Sequence, residues 1–179
     1  MSSSFCWNAA TNALLLMLML TAATASAGWR SDLGNAQLIG EGDFRYLGFK
    51  IYSARLFSRH EPFDENQPFA LQLVYNRALT REKIADASVD ELKRIYGAIL
   101  SDTQLENWRK QMLRAFVDVQ IGDQLTGVYL PGLGVRFYHG DALNAQIDDP
   151  VFARAFFSIW LDPATRDPAL RTRLLGGKP

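Results

Sequence analysis

Cysteine and histidine are scarce in this chain, which has one Cys and two His among its 179 residues. Cys6 precedes an apolar run that we predict to be removed on export, so the remaining protein would have no thiol for a disulfide, a nucleophile or a metal. His60 lies in a predicted polar loop and His139 in a predicted turn, and no cluster of carboxylates accompanies either of them. The sequence therefore predicts no metal site and no cofactor.

An excess of charge of one sign is also missing. Nineteen basic residues balance nineteen acidic ones, which gives a formal net charge of +0 at pH 7. Without a net field, nothing draws the whole protein toward nucleic acid or an anionic membrane. We therefore predict no nucleic-acid partner.

The first 27 residues contain no charged side chain, and residues 13–20 form an apolar run that is followed by small residues. This pattern is typical of a secretory signal peptide, and Ala25 and Ala27 supply a cleavage site that would leave Gly28 first. Because no Lys or Arg precedes the run, a signal anchor is the alternative, although the run is too short to span a bilayer comfortably. We expect a periplasmic or secreted protein with one domain, residues 28–179, and no integral membrane span after removal of the signal.

A hairpin is predicted in the middle of the chain, where Pro131 and Gly132 join two apolar-aromatic runs within residues 125–138. Proline presets φ at the first central position of a type II turn, and glycine accepts the positive φ of the second. Alternating apolar side chains on both sides indicate strands. Further strand candidates are residues 37–42, 44–57, 69–76, 116–121 and 143–147.

Helix starts are indicated by four capping residues, each followed by apolar residues at helical spacing. They are Thr80, Ser101 with Gln104 as a capping box, Asp149 before Pro150, and Asp167 before Pro168. Strands, helices, more strands and a helical end together predict an α+β layered domain.

Several short segments carry a family resemblance through their order and spacing. The chain resembles the chalcone isomerase family, most closely its bacterial chalcone isomerase-like branch. The resemblance implies a large antiparallel sheet with a layer of helices packed on one face, an open-faced β-sandwich, and a ligand cleft between the two layers. The matching segments are Pro131 and Gly132 with residues 135–138, Asp149, and residues 152–153, 156–163, 167–171, 48–57 and 100–105.

The resemblance also allows two activities, because plant members of the family cyclise a chalcone to a flavanone whereas other members bind fatty acids. In the plant enzymes a strand arginine stabilises the developing negative charge, a strand threonine and a helix tyrosine hold a water on the ketone, and a helix asparagine helps to hold the far end of the substrate. In this sequence the arginine could be Arg45, the threonine position falls at Tyr52, the tyrosine position at Leu105 and a helix asparagine position at Met112. Losing one such donor typically costs about a hundredfold or more in rate, so the resemblance implies a protein without flavanone-forming activity.

Our first hypothesis is an exported chalcone isomerase-like protein that binds a small amphiphilic carboxylate, such as a fatty acid, in an apolar cleft. A guanidinium offers paired donors to a carboxylate. The candidates for the polar end are Arg45, Tyr52, Tyr75 and Arg77, and those for the apolar wall are Leu105, Trp108 and Met112. The plainer interpretation of each stays open: exposed arginines, packed tyrosines, and a helical stripe that belongs to the core.

Two further hypotheses belong to other functional classes. One is an isomerase of the intramolecular lyase type that acts on a conjugated carbonyl compound, with Arg45 and Tyr52 as catalytic residues that stabilise an enolate. The other is a non-catalytic scaffold for an unidentified protein partner in the cell envelope.

Overall fold

The computed structural model describes residues 28–177. The predicted signal peptide, residues 1–27, lies outside this range. In the described part of the chain, six antiparallel strands form one sheet, and their order in space is their order in the chain. They are β1 (Gln37–Tyr46), β2 (Phe49–Ser58), β3 (Phe69–Tyr75), β4 (Gln124–Leu130), β5 (Gly134–His139) and β6 (Ala142–Ile147).

Within residues 28–177, five α-helices accompany the sheet. Two of them, joined by a short 3-10 turn, form the long connection between β3 and β4. They are α1 (Arg30–Leu33), α2 (Arg81–Tyr96), α3 (Asp102–Ala115), α4 (Pro150–Leu161) and α5 (Pro168–Leu174). The four predicted caps are present: the side chains of Thr80, Ser101, Asp149 and Asp167 each accept a bond from a backbone N–H in the first turn.

The Pro131 and Gly132 turn is confirmed, with Gly132 at φ 74° and the N–H of Leu133 donating to the carbonyl of Leu130. Two strand predictions were wrong. For residues 37–42 and 44–57 the boundary between the two strands was misplaced, because β1 continues to Tyr46 and a turn at Leu47 and Gly48 then reverses the chain into β2. Residues 116–121 form a single bridge, between Leu79 and Val119, instead of a strand.

Most of the core lies between the sheet and helices α2 to α5. The predicted α+β class and the large antiparallel sheet with a helix layer on one face are confirmed. The opposite face is covered in part by α1, which the sequence did not predict. There Trp29 and Leu33 pack on Phe57, Ala70, Val128 and Tyr138.

A largely buried carboxylate fixes α1 to this second face. Asp32 accepts hydrogen bonds of 2.6 Å from Nη1 of Arg136 and 2.6 Å from the hydroxyl of Tyr138, both on β5. Burial, together with the bond to Asp32, raises the pKa of Tyr138 to about 12. The tyrosine therefore stays protonated and remains a donor to Asp32 over the physiological pH range.

Candidate functional site

A cleft of about 390 Å³ lies between the inner face of the sheet and helices α2 and α4. This volume falls within the range of pockets that hold small ligands. Its inner part is strongly aromatic, because side chains of the sheet, α4 and the segment after α3 meet there. Phe44, Tyr52, Tyr75, Phe116, Phe137, Phe156, Phe157 and Trp160 are among the lining residues.

The mouth of the cleft is more polar than its interior. Tyr46, Lys83, Ala87, Asp90 and Arg166 line the cleft and are exposed to solvent. An apolar chamber with a polar rim suits an amphiphilic ligand, whose chain gains from leaving water while its head group stays hydrated.

Tyr52 on β2 is held by α4. The indole Nε1 of Trp160 donates a hydrogen bond of 2.9 Å to the Tyr52 hydroxyl. Burial raises the pKa of Tyr52 above its ordinary value; the bond from Trp160 opposes this shift, and the nearby charges of Asp167 and Glu91 add to it. Because the hydroxyl accepts from Trp160 and stays protonated, its own proton can be donated to a ligand.

Tyr75 on β3 lies directly opposite Tyr52 in the sheet, and the two rings meet edge to face with centroids 5.9 Å apart. Burial, reinforced by Tyr52, raises the pKa of Tyr75. Tyr75 lines the cleft as well, so its protonated hydroxyl is a second neutral donor there.

Glu91 on α2 is an almost buried carboxylate in the cleft wall, with 8% of its side chain exposed. It accepts bonds of 2.9 Å from Nε of Arg94 and 2.9 Å from Nε of Arg166. Burial alone would favour the protonated acid, but the two arginines outweigh it and lower the pKa of Glu91. Glu91 is therefore an ionised, fully paired structural carboxylate.

Lys83, in the first turn of α2, is the other cation of the rim. It is exposed, and among the described residues its ammonium group has no ion-pair partner. Arg166, by contrast, is already engaged by Glu91 at 2.9 Å. Lys83 is thus the cation that is available to an anionic ligand at the mouth.

The structure brings only some of the predicted site residues together. Tyr52 and Tyr75 line the cleft. Arg45 does not, because Phe44 and Tyr46 point into the cleft and Arg45 lies on the other face of β1 beside Asp43, 3.9 Å from its carboxylate. Arg77 stacks over the Phe49 ring outside the cleft, with its guanidinium carbon 4.3 Å from the ring centroid.

The predicted apolar wall, Leu105, Trp108 and Met112, also lies away from the cleft. These side chains of α3 are buried in the main core. Trp108 packs against Phe152 of α4, and its Nε1 donates a bond of 3.1 Å to Asp149. The prediction followed the pocket helix of the family, whereas here α2 forms that wall and α3 packs against α2 and β6.

Lys83, Glu91, Trp160 and Arg166 were not among the predicted site residues. The sequence did contain a signal for Glu91, because it follows Ile84 by seven residues and Ser88 by three and so falls on the apolar stripe of α2. A carboxylate on such a stripe needs a buried partner. No comparable pattern marks Arg166, which lies in the connection between α4 and α5.

The chain matches the sequence profile of the chalcone isomerase-like family over residues 34–176. It belongs to the chalcone isomerase-like family. An uncharacterized protein of Haemophilus influenzae is 29% identical to this chalcone isomerase-like protein over 141 residues, which cover 78% of this chain and 68% of the relative.

A solved structure supports the same fold. The crystal structure of a fatty-acid binding protein from Arabidopsis thaliana matches with a TM-score of 0.58 at 11% identity, covering 80% of this chain and 88% of the other.

Among residues 28–177, no helix combines the length and apolar character needed to cross a membrane. The same part of the chain contains no group of three or more His, Cys, Asp or Glu side chains placed to hold a metal ion.

Proposed function

We propose that this chalcone isomerase-like protein binds a fatty acid or a similar amphiphilic carboxylate in the cleft between the sheet and helices α2 and α4. The observation that carries the proposal is an aromatic, mostly apolar chamber with an unpaired lysine at its mouth. The Arabidopsis thaliana neighbour supports it, since that protein is described as a fatty-acid binding protein.

The position of the head group follows from the charges along the cleft. Asp90 and Asp167 place carboxylates along one part of the lining, where the charge of Glu91 is already paired with Arg94 and Arg166, so a ligand carboxylate would be repelled there. Lys83 lies two helical turns before Glu91 on α2. We therefore assign the carboxylate to Lys83 and the acyl chain to the aromatic interior.

Native mass spectrometry of the gently purified protein, followed by organic extraction, tests for a bound amphiphile directly. A second assay titrates the protein with a fluorescent fatty acid and with the corresponding fatty alcohol. We expect Lys83→Gln to weaken binding of the acid about two- to fivefold, the range of a solvent-exposed ion pair, and to leave binding of the alcohol unchanged.

Lys110→Gln provides the matched control, because Lys110 lies on α3 and pairs with Glu106 at 3.7 Å, outside the cleft. Equal affinity of the wild type and Lys83→Gln for the acid would contradict the assignment of Lys83. A protein that binds neither the acid nor the alcohol would contradict the proposed function itself.

Export is part of the same proposal. Its support is the uncharged, apolar character of residues 1–27 and the small residues before Gly28. A fusion of residues 1–27 to a reporter enzyme that is active only outside the cytoplasm should be active, and the released protein should begin at Gly28. An inactive fusion would contradict export, and a protein that keeps residues 1–27 would favour the anchor.

Isomerase activity is the second candidate, favoured by the two neutral tyrosine hydroxyls, which could donate to the oxygen of a conjugated carbonyl. Arg45, which was predicted to share this role, lies on the opposite face of the sheet from the cleft. We therefore propose that flavanone-forming activity is absent. Chalcone turnover that Tyr52→Phe abolishes would overturn this.

The scaffold hypothesis stays a prediction, to be tested by a pull-down from the envelope.

A further inference from the structure

The turn between β1 and β2 exposes an apolar tip that packing within this protein does not explain. Tyr46, Leu47 and Phe49 are 52%, 80% and 58% exposed, and they follow one another around the two-residue turn. We define these three side chains as the hairpin tip. Scattered single apolar residues are ordinary on protein surfaces, but three large ones within four residues at a turn mark an interaction surface.

The backbone of the turn strengthens this interpretation. Leu47 has φ 48° and Gly48 has φ 82°, the two positive values that a type I′ turn requires. Asn followed by Gly is the favoured sequence for such a turn, and a leucine with positive φ is uncommon. The chain thus keeps a large apolar side chain at a position that favours a small polar one.

Cations surround the hairpin tip. Arg45 and Lys50 flank it, and Arg77 stacks over the Phe49 ring at 4.3 Å. Asp43 is the carboxylate that faces them, 2.8 Å from Lys50 and 3.9 Å from Arg45. Although the whole chain is neutral, three cations against one carboxylate leave a local positive charge around the tip.

We propose that the hairpin tip docks this protein on a lipid bilayer that contains anionic head groups. An apolar tip ringed by cations fits the boundary between head groups and acyl chains, where apolar side chains insert and cations meet lipid charge. Three side chains are too few for a stable protein interface, which buries about 1,200 Å² or more. Tyr46 belongs both to the tip and to the lining of the cleft, so docking places the mouth at the membrane.

Vesicle co-sedimentation tests the proposal, with vesicles of phosphatidylcholine alone and of phosphatidylcholine mixed with phosphatidylglycerol. We expect the purified protein to sediment with the mixed vesicles and to be released by high salt, because screening weakens the attraction. Leu47→Asn should reduce the bound fraction about tenfold, the effect of withdrawing one buried leucine side chain. This variant should fold at least as well as the wild type, since it creates the favoured Asn-Gly turn.

Ile99→Asn is the matched control, because Ile99 is 81% exposed in the turn between α2 and α3, away from the tip. It should sediment like the wild type. The proposal is overturned if the wild type stays in the supernatant with mixed vesicles, or if Leu47→Asn binds them unchanged. It is also overturned if the hairpin tip instead joins two copies of this chain. The protein would then form a dimer that does not bind vesicles and that Leu47→Asn dissociates. Fatty-acid binding in solution is measured separately and should not respond to Leu47→Asn.

Discussion

The indole N–H of Trp160 donates a 2.9 Å hydrogen bond to the hydroxyl of Tyr52, joining α4 to the second strand of the sheet across the cleft. Both side chains line the cavity, so this bond fixes the distance between two of its walls. The bond also orients the Tyr52 proton. Because the oxygen accepts from Trp160, its own O–H must point away from the indole N–H.

Tyr52→Phe removes this acceptor and leaves the Trp160 N–H without its partner. We expect the free energy of unfolding to fall by about 1–2 kcal/mol, the cost of an unsatisfied buried donor, and fatty-acid affinity to fall by less than tenfold. Urea unfolding and fluorescence titration measure the two effects. Tyr138→Phe is the control for affinity, since it removes a hydroxyl bonded to Asp32 on the other face. A Tyr52→Phe protein that unfolds and binds like the wild type would refute the role of this bond.

Trp108→Ala should affect stability and leave ligand affinity unchanged. The side chain is 2% exposed, packs on Phe152 and bonds to Asp149, which itself caps α4. Truncating such an aromatic residue costs about 3–5 kcal/mol in the free energy of unfolding. Trp108→Phe keeps an aromatic ring at this position but loses the hydrogen bond to Asp149, so we expect the free energy of unfolding to fall by about 1 kcal/mol. If folded Trp108→Phe binds the ligand more weakly, the stripe of Leu105, Trp108 and Met112 does contact the ligand and this prediction is wrong.

Glu91→Gln should make the protein less stable at neutral pH and flatten its acid unfolding. The fold lowers the pKa of Glu91 from the ordinary 4.5, so its contribution is complete above that value and is lost as the pH falls through the lower pKa of the folded state. We expect a loss of about 1–2 kcal/mol at neutral pH, because Arg94 and Arg166 are themselves partly in water.

Urea unfolding of both proteins across the acid range provides the measurement. The two stabilities should converge at pH values well below 4.5, where the wild-type carboxylate is protonated as well. Curves that stay parallel at every pH would mean that the ion pairs of Glu91 do not cause the difference.

Gly127→Val should shorten the cleft. A Cβ at this position on β4 would be 3.1 Å from Cζ of Phe157, which is tight contact with a side chain of the cleft wall. We expect about 1–3 kcal/mol of destabilisation from overpacking, and a larger loss of affinity for long acyl chains than for short ones. Thr126→Val, whose side chain lies on the other face beside Gln72, should change no chain-length preference. If Gly127→Val leaves the chain-length preference unchanged, the acyl chain does not lie beside Gly127.

Much of the fold could be predicted because the signals were local. The Pro131 and Gly132 turn and the four helix caps depend on residues within a few positions of one another, and the structure contains each of them. The Leu47 and Gly48 turn was missed because only one of its two residues is a typical turn former. A leucine with positive φ carries no sequence signal of its own.

The site was harder to predict because it depends on which elements meet. Tyr52 and Tyr75 were found, one from the family resemblance and the other from its strand position. The stripe of Leu105, Trp108 and Met112 was identified as apolar, but its period could not tell a cleft wall from a helix interface. For Arg45, alternation along β1 sets it opposite Phe44 and Tyr46, but the sequence of β1 alone does not say which of the two faces meets the helices.

The packing of α5 on β1 bears on the order in which parts of the fold can form. Carbonyl groups at the end of α5 lie so close to Gly40 that a side chain there would collide with them. Among the described elements, α5 is the last in the chain, so β1 acquires this covering helix only after residues 168–174 have been made. A chain that stops before these residues leaves the seam at Gly40 open.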